Sequence, residues 1–343
     1  MNQHWIRYFA VTAVTLLAVS GCSVPRQHQR NGTNTEVKAT GARALPFETV
    51  LVTNRQGMND LGANDGAWNG LVKSHEMADT QPGVVQSHTV ADEMSNLEQL
   101  GEQHVQFIVA SSGIRESAVR AAAKKYPLTH FLLLGQATTG QANVAGAVFD
   151  TQQAAYAMGY LAGLADKSKN MNKPQKVAVL YNSQSAQELA NAHAFAKGFS
   201  QAYPGQKPML MRLPTPFASM SIQSAIHNAT EKGAFLIYGA GNLETGPLLQ
   251  AAETSSLQIM NTGYDAASRF PQHVLASLVP QYNLAVENAV SEVDHNQFKS
   301  NTATYNLQNH GVVVSVSHDC PMEWSIAEDR VLQSFGTTSV RHT

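Results

Sequence analysis

Cysteine is nearly absent from this chain, with two in 343 residues, Cys22 and Cys320. That number cannot supply a disulfide framework, so the fold has to be stabilised by packing. Charge is sparse as well: charged residues make up 14% of the sequence and the net charge is −2. A chain without a basic field lacks the electrostatic footprint of a nucleic-acid binder, which excludes DNA and RNA as partners. Catalytic signatures are missing too. There is no G-x-S-x-G elbow, no H-E-x-x-H helix, no C-x-x-C pair and no lysine-bearing phosphate loop. The 13 histidines are scattered without the i, i+4 spacing of a helical zinc site. His318, Asp319 and Cys320 are consecutive, so on a strand they point to opposite faces and cannot share one ion. The expectation is a non-enzyme with no catalytic residue, cofactor or metal, and Cys320 is expected to be a small packed hydrophobe.

What is present begins at the amino terminus. Arg7 is followed by the apolar run from Tyr8 to Val19 and by the small residues Ser20 and Gly21, just ahead of Cys22. A basic start, a short apolar stretch and small residues make up a secretory signal. The run is interrupted by Thr12 and Thr15 and falls short of the roughly 20 residues that cross a bilayer. Val19–Cys22 resembles a bacterial lipobox, which implies cleavage after residue 21, acylation (palmitate) at Cys22 and a mature chain anchored to the extracytoplasmic face of the cell membrane by its lipid. Residues 22–46 then read as the lipidated cysteine and a disordered polar tether with no periodic apolar face.

Beyond the tether, apolar strand-like runs alternate with helical patterns. The first series reads as strand Thr49–Thr53, helix Ala67–Met77, strand Val84–Val90, helix Met94–Glu102, strand Phe107–Ala110, helix Ser117–Lys125 and strand Phe131–Leu134. A long helix over Thr151–Leu164 and a polar linker over Asp166–Gln175 separate it from a second series built on the same plan from Val177 to Gly263. Alternation of this kind predicts α/β architecture with parallel sheets. The predicted fold is two doubly wound lobes joined by hinge crossovers, with a ligand cleft between them. The expected partition is 47–166 plus about 264–281 for the first lobe, and 167–263 plus part of 282–343 for the second.

The stretch from Gly57 to Leu71 resembles a loop of the basic membrane protein family, the PnrA-like substrate-binding lipoproteins of ABC transporters. That loop typically reads D-K-S-F-N-Q-S-A-W-E-G-L, and Asp60, Asn64, Ala67, Trp68, Gly70 and Leu71 match it. Asn143–Phe149 followed by Ala154–Tyr156 and Gly159–Gly163 is similar to the family's N-V-A-S-V-V-F and A-Y-x-x-G-x-L-A-G. Weaker matches run in order through Phe195–Phe199, Ala240–Gly241, Gly263–Asp265 and Val274–Val279. The resemblance implies a periplasmic-binding-protein type I fold, a small polar solute, such as a nucleoside, as ligand, an ABC permease as partner and a monomeric carrier. Asp60, Asn64, Phe195, Gly241 and Asp265 are the expected ligand-binding positions: Asp60 and Asn64 to cap a helix and hydrogen-bond a polar ligand, Asp265 to hold polar groups, Phe195 for stacking, Gly241 for backbone access.

Three positions depart from the pattern. Ala63 stands where the family has its phenylalanine, Gly135 where it has a carboxylate and Pro280 where it has a lysine. A stacking ring contributes about 1–3 kcal/mol per base, so a purine nucleoside is expected to bind weakly unless Trp68, Phe149, Tyr181 or Tyr264 takes over. A second function is compatible with the same residues, that of a regulatory or interaction lipoprotein of the Med-like kind with a degenerate cleft.

Overall fold

The computed structural model describes residues 47–138, 140–169, 176–214, 219–241 and 245–318. The signal, Cys22, the tether, most of the linker, Asp319 and Cys320 lie outside the described residues. The described residues form two six-stranded sheets. The first is built from β1 (Phe47–Val52), β2 (Thr80–Val85), β3 (Phe107–Ala110), β4 (His130–Leu134) and β5 (Val144–Phe149). These alternate with α1 (Ala63–Met77), α2 (Val90–Glu102) and α3 (Glu116–Lys125). The chain continues through α4 (Gln152–Lys169), β6 (Lys176–Asn182), α5 (Ala186–Ala202), β7 (Met209–Leu213), α6 (Ser219–Glu231), β8 (Ala234–Gly239), α7 (Thr245–Glu253), β9 (Gln258–Thr262), α8 (Ala266–Arg269) and β10 (Val274–Pro280). The last described elements are α9 (Tyr282–Asp294), β11 (Thr302–Tyr305) and β12 (Val312–Val316).

Strand order is β2-β1-β3-β4-β5-β11 in one sheet and β7-β6-β8-β9-β10-β12 in the other. Every pair in the first sheet is parallel; in the second only β12 runs antiparallel, against β10. Strands covered on both faces by helices must be apolar throughout, as the fully buried Phe-Ile-Val-Ala of β3 and the Phe-Leu-Leu-Leu of β4 are. Three apolar clusters result: one on the outer side of each sheet, and one that runs through both lobes and includes Phe149 and Tyr305, with Tyr282 packed against it.

Two segments belong elsewhere than the sequence suggests. The helix over Thr151–Leu164, expected in the first lobe, is part of α4, which packs along α5 and against β6, β10 and β12 of the second sheet. Residues 264–281, expected to return to the first lobe, stay in the second: β10 pairs with β9 and β12. The return comes at α9, whose Tyr282 starts a helix packed on α1. Sequence alternation cannot distinguish these choices, since both sheets accept the same buried strands. The strand expected at Val84–Val90 lies earlier, because the Thr89 side chain and Asp92 form a capping box that starts α2 at Val90. Helix α1 begins four residues sooner than expected, at Ala63.

Within the described residues the chain crosses between lobes three times, after β5, after β10 and after β11. The crossings bond to one another: Asp150 N–H donates to Tyr305 O at 2.8 Å and Gln281 N–H to Gly311 O at 2.9 Å.

Candidate functional site

In each sheet the strand order reverses direction around the first strand, between β1 and β3 in one and between β6 and β8 in the other. Such switch points splay the connecting loops apart at the carboxyl ends of the strands and leave a crevice. The two crevices face each other across a cavity of about 470 Å³. Its first wall is Asn54, Arg55, Gln56, Ala63, Glu93, Ser112 and Gly113; its second is Ser185, Gln187, Glu188, Asn191, Gly241 and Thr262. Pro280 and Tyr282, at a crossing, also line it. An outer cavity of about 690 Å³ shares Gly263, Pro280 and Tyr282 with it and is lined further by Asp65, Tyr264, Asp265 and Arg269.

The loop after β1 is held by its own side chains. Asn64 is fully buried; its Oδ1 accepts from Asn54 N–H at 3.1 Å, and its Nδ2 donates to Asn54 Oδ1 at 2.9 Å and to Gly57 O at 2.7 Å. Asp60 accepts from the backbone N–H groups of Gly62, Asn64 and Asp65 and so caps α1. Both residues, expected to cap the helix and to hydrogen-bond a ligand, build the loop that frames the cavity. Phe195 is a clearer correction. It is fully buried in α5 and stacked on Tyr238, with ring centroids 4.5 Å apart, so it offers no face to a ligand. Asp265 accepts from Ser268 N–H at 3.1 Å as the cap of α8, and lines the outer cavity. Gly241 lines the inner one.

Two of the three departures from the family pattern, Ala63 and Pro280, lie on the inner wall. Gly135 has φ +77 and a Cβ there would meet Ser112 Oγ at 2.5 Å, so that backbone disfavours a carboxylate-bearing residue. None of Trp68, Phe149 or Tyr181 reaches the inner cavity, and Tyr264 lines the outer one. Tyr282 is the one aromatic residue among the described lining residues of the inner cavity.

The charged lining residues were not foreseen. Glu93, in the first turn of α2, is 2% exposed, and its carboxylate lies 3.9 Å from Arg55 Nε, whose side chain is largely in solvent. Burial raises its carboxyl pKa, and Arg55 and Arg115 partly oppose the rise. Glu188, in the first turn of α5, accepts from Asn182 N–H at 2.9 Å. Burial pushes its pKa up with only that hydrogen bond in opposition. Both stand at helix starts, where sequence reading takes an acidic residue for a cap: Ser185-x-x-Glu188 has the form of a capping box, yet the carboxylate turns to Asn182 and the cavity. Neutral polar groups around them are largely spent on each other. Gln187 Nε2 donates to Phe149 O and Thr151 Oγ1, Thr151 Oγ1 to Asn191 Oδ1, and Asn191 Nδ2 to Ala240 O.

Residues 47–326 match the family described as ABC transporter substrate-binding protein, PnrA-like. A relative in Lactococcus lactis subsp. cremoris, the ABC transporter nucleoside-binding protein BmpA, is 22% identical over 339 residues, covering 89% of this chain and 90% of its own. The CD4+ T-cell-stimulating antigen of Listeria innocua is 24% identical over 147 residues, 41% of each chain. Solved structures that share the fold include solute-binding proteins of an ABC transporter system from Aeropyrum pernix K1, with TM-score 0.71, 17% identity and coverage of 85% of this chain and 81% of that one. A transcriptional activator of comK from Bacillus halodurans has TM-score 0.69, 16% identity and coverage of 85% and 99%. The two-lobed α/β fold and the match over most of its length agree: the chain belongs to the PnrA-like family of ABC transporter substrate-binding proteins.

Proposed function

We propose that this protein is a lipid-anchored, extracytoplasmic solute carrier whose two lobes close on a small polar solute and present it to an ABC permease. The observation that carries this reading is the cavity between the switch points of both sheets, with walls supplied by both lobes. A site divided in this way couples occupancy to hinge closure, because only the closed state lets one solute touch both walls. The name of the Lactococcus lactis relative puts nucleosides first among the solutes to test. With Ala63 and Pro280 on the wall and one tyrosine as the aromatic contribution, purine nucleosides are expected to bind with micromolar or weaker affinity. Gly241 lines the inner cavity and Asp265 the outer one, and both are assigned to the solute.

Titration calorimetry of the detergent-solubilised full chain with inosine, guanosine and adenosine tests the affinity, and Asp265→Ala tests the outer wall. Submicromolar binding of any of the three would show that the departures cost nothing. The same departures favour a second reading, a regulatory or interaction lipoprotein on this fold. A thermal-shift screen separates the two, since a carrier is stabilised by about 2.7 kcal/mol at a hundred times Kd and a protein with a dead cleft by none.

A further inference from the structure

Among the described residues the two cavities are lined by four carboxylates, Asp65, Glu93, Glu188 and Asp265, against two guanidinium groups, Arg55 and Arg269, and by no lysine. Asp65 and Asp265 are each used as backbone caps. Glu93 has Arg55 beside it. Glu188 has no such partner: it accepts one backbone hydrogen bond, through Oε2, and makes no ion pair among the described residues. A half-buried carboxylate with one oxygen unused and no cation nearby is costly, and it persists where something outside the fold supplies the compensation.

Gly241 shows that the carboxylate has a fixed place. A Cβ at that position would overlap Glu188 Cδ and Cγ, so the turn after β8 leaves room for this side chain and for nothing larger. Glu93 lines the opposite wall, almost completely buried and beyond hydrogen-bonding distance of Arg55. Thr151, Gln187 and Asn191 are hydrogen-bonded among themselves, so among the described residues of the inner cavity Glu188 and Glu93 are the charged acceptors with capacity to spare.

Resting on the carrier reading above, we infer that the solute carries a positive charge, an ammonium or guanidinium group, and that Glu188 is the residue selecting it, with Glu93 accepting from the other end. A charged donor satisfies the unused oxygen of Glu188 and cancels its charge when closure removes water, whereas a neutral hydroxyl does only the first.

The test uses calorimetry on the detergent-solubilised full chain with matched probes. These are 5′-amino-5′-deoxyadenosine against adenosine, arginine against citrulline, glucosamine against glucose, and putrescine against 1,4-butanediol. At least one amine or guanidine is expected to bind tenfold or more tightly than its neutral partner. Glu188→Gln, which keeps shape and the Asn182 bond, is expected to remove that preference while raising the melting temperature of the unliganded protein by about 2 °C or more at neutral pH. A residue kept for stability alone would instead lower it. If neutral nucleosides bind as well as or better than every charged probe and Glu188→Gln changes nothing, the charge inference is overturned and the carrier reading stands. If no probe of either kind binds, both fall.

Discussion

Glu188 gains nothing for the fold by being ionised, and this has a pH signature. Its folded-state pKa is raised above the ordinary 4.5, chiefly by burial. The charged form is therefore less well tolerated in the native state than in the unfolded chain. Its stability contribution is fully present below the unfolded pKa and is lost as pH rises through the raised folded value. The difference in melting temperature between Glu188→Gln and the native chain should accordingly be near zero at pH 4, grow as pH rises above 4.5, and level off once the folded carboxyl has titrated. Differential scanning calorimetry across pH 4–8 measures it, and a difference that shrinks with rising pH would contradict the burial argument. Gly241 gives a second test at the same place. Gly241→Ala alone should destabilise by about 1–3 kcal/mol through overlap with the Glu188 side chain. In a Glu188→Ala background the cost should largely disappear, a non-additivity that a double-mutant cycle reads directly. Equal costs in both backgrounds would mean that the turn needs glycine for its own backbone.

Helices α4 and α5 form the tightest pair in the second lobe, and their closeness depends on glycine. A Cβ at Gly159 would overlap the Phe195 carbonyl group, and one at Gly198 the Tyr156 carbonyl oxygen. Gly159→Ala should therefore lower the unfolding free energy by about 1–3 kcal/mol, measured by urea denaturation, with the m-value unchanged. No loss would mean that the two helices separate without cost. This pair also explains what could be read from sequence. The Gly159–Gly163 and Phe195–Phe199 motifs, which point to the family, lie at this helix contact, so they identified the fold correctly and the site poorly. Phe195 looked like a stacking surface because its motif matched, and only the α5 geometry shows its ring turned onto Tyr238. Strand alternation made both sheets legible, since a doubly covered parallel strand has few alternatives to an apolar run. It could not assign α4 or β10 to a lobe, because that choice is made by contacts distant in sequence. Glu93 and Glu188 went unnoticed because an acidic residue in the first turn of a helix has an ordinary local reason to be there.

For the whole molecule, two properties should follow from how the chain is tied together. At the amino terminus, Cys22→Ala should yield an unprocessed or released protein, since acyl chains would have no attachment point; a mature-sized species that still fractionates with membranes would remove the lipobox reading. Between the lobes, each of the three crossings carries one aromatic ring at its edge: Phe149 ends β5, Tyr282 begins α9, and Tyr305 ends β11. Phe149 lies edge-on to Tyr282 at 4.7 Å and stacked with Tyr305 at 5.2 Å, so the rings form one cluster on which all three crossings converge. That cluster continues the core that runs through both lobes, and aromatic pairs of this kind add about 0.5–1.5 kcal/mol beyond the area they bury. The lobes are thus coupled through these rings as well as through the crossing hydrogen bonds, and the native chain should melt in a single calorimetric transition. Tyr305→Leu keeps an apolar side chain but loses the stacking and the hydroxyl that accepts from Asn288 Nδ2 at 3.4 Å. The variant should broaden or split the transition, because each lobe retains its own outer cluster while the shared one is weakened. In small-angle scattering it should also show a larger radius of gyration than the native protein, as the cleft opens further about a looser hinge. A sharp single transition at the native temperature together with unchanged scattering would place the coupling in the crossing backbone alone.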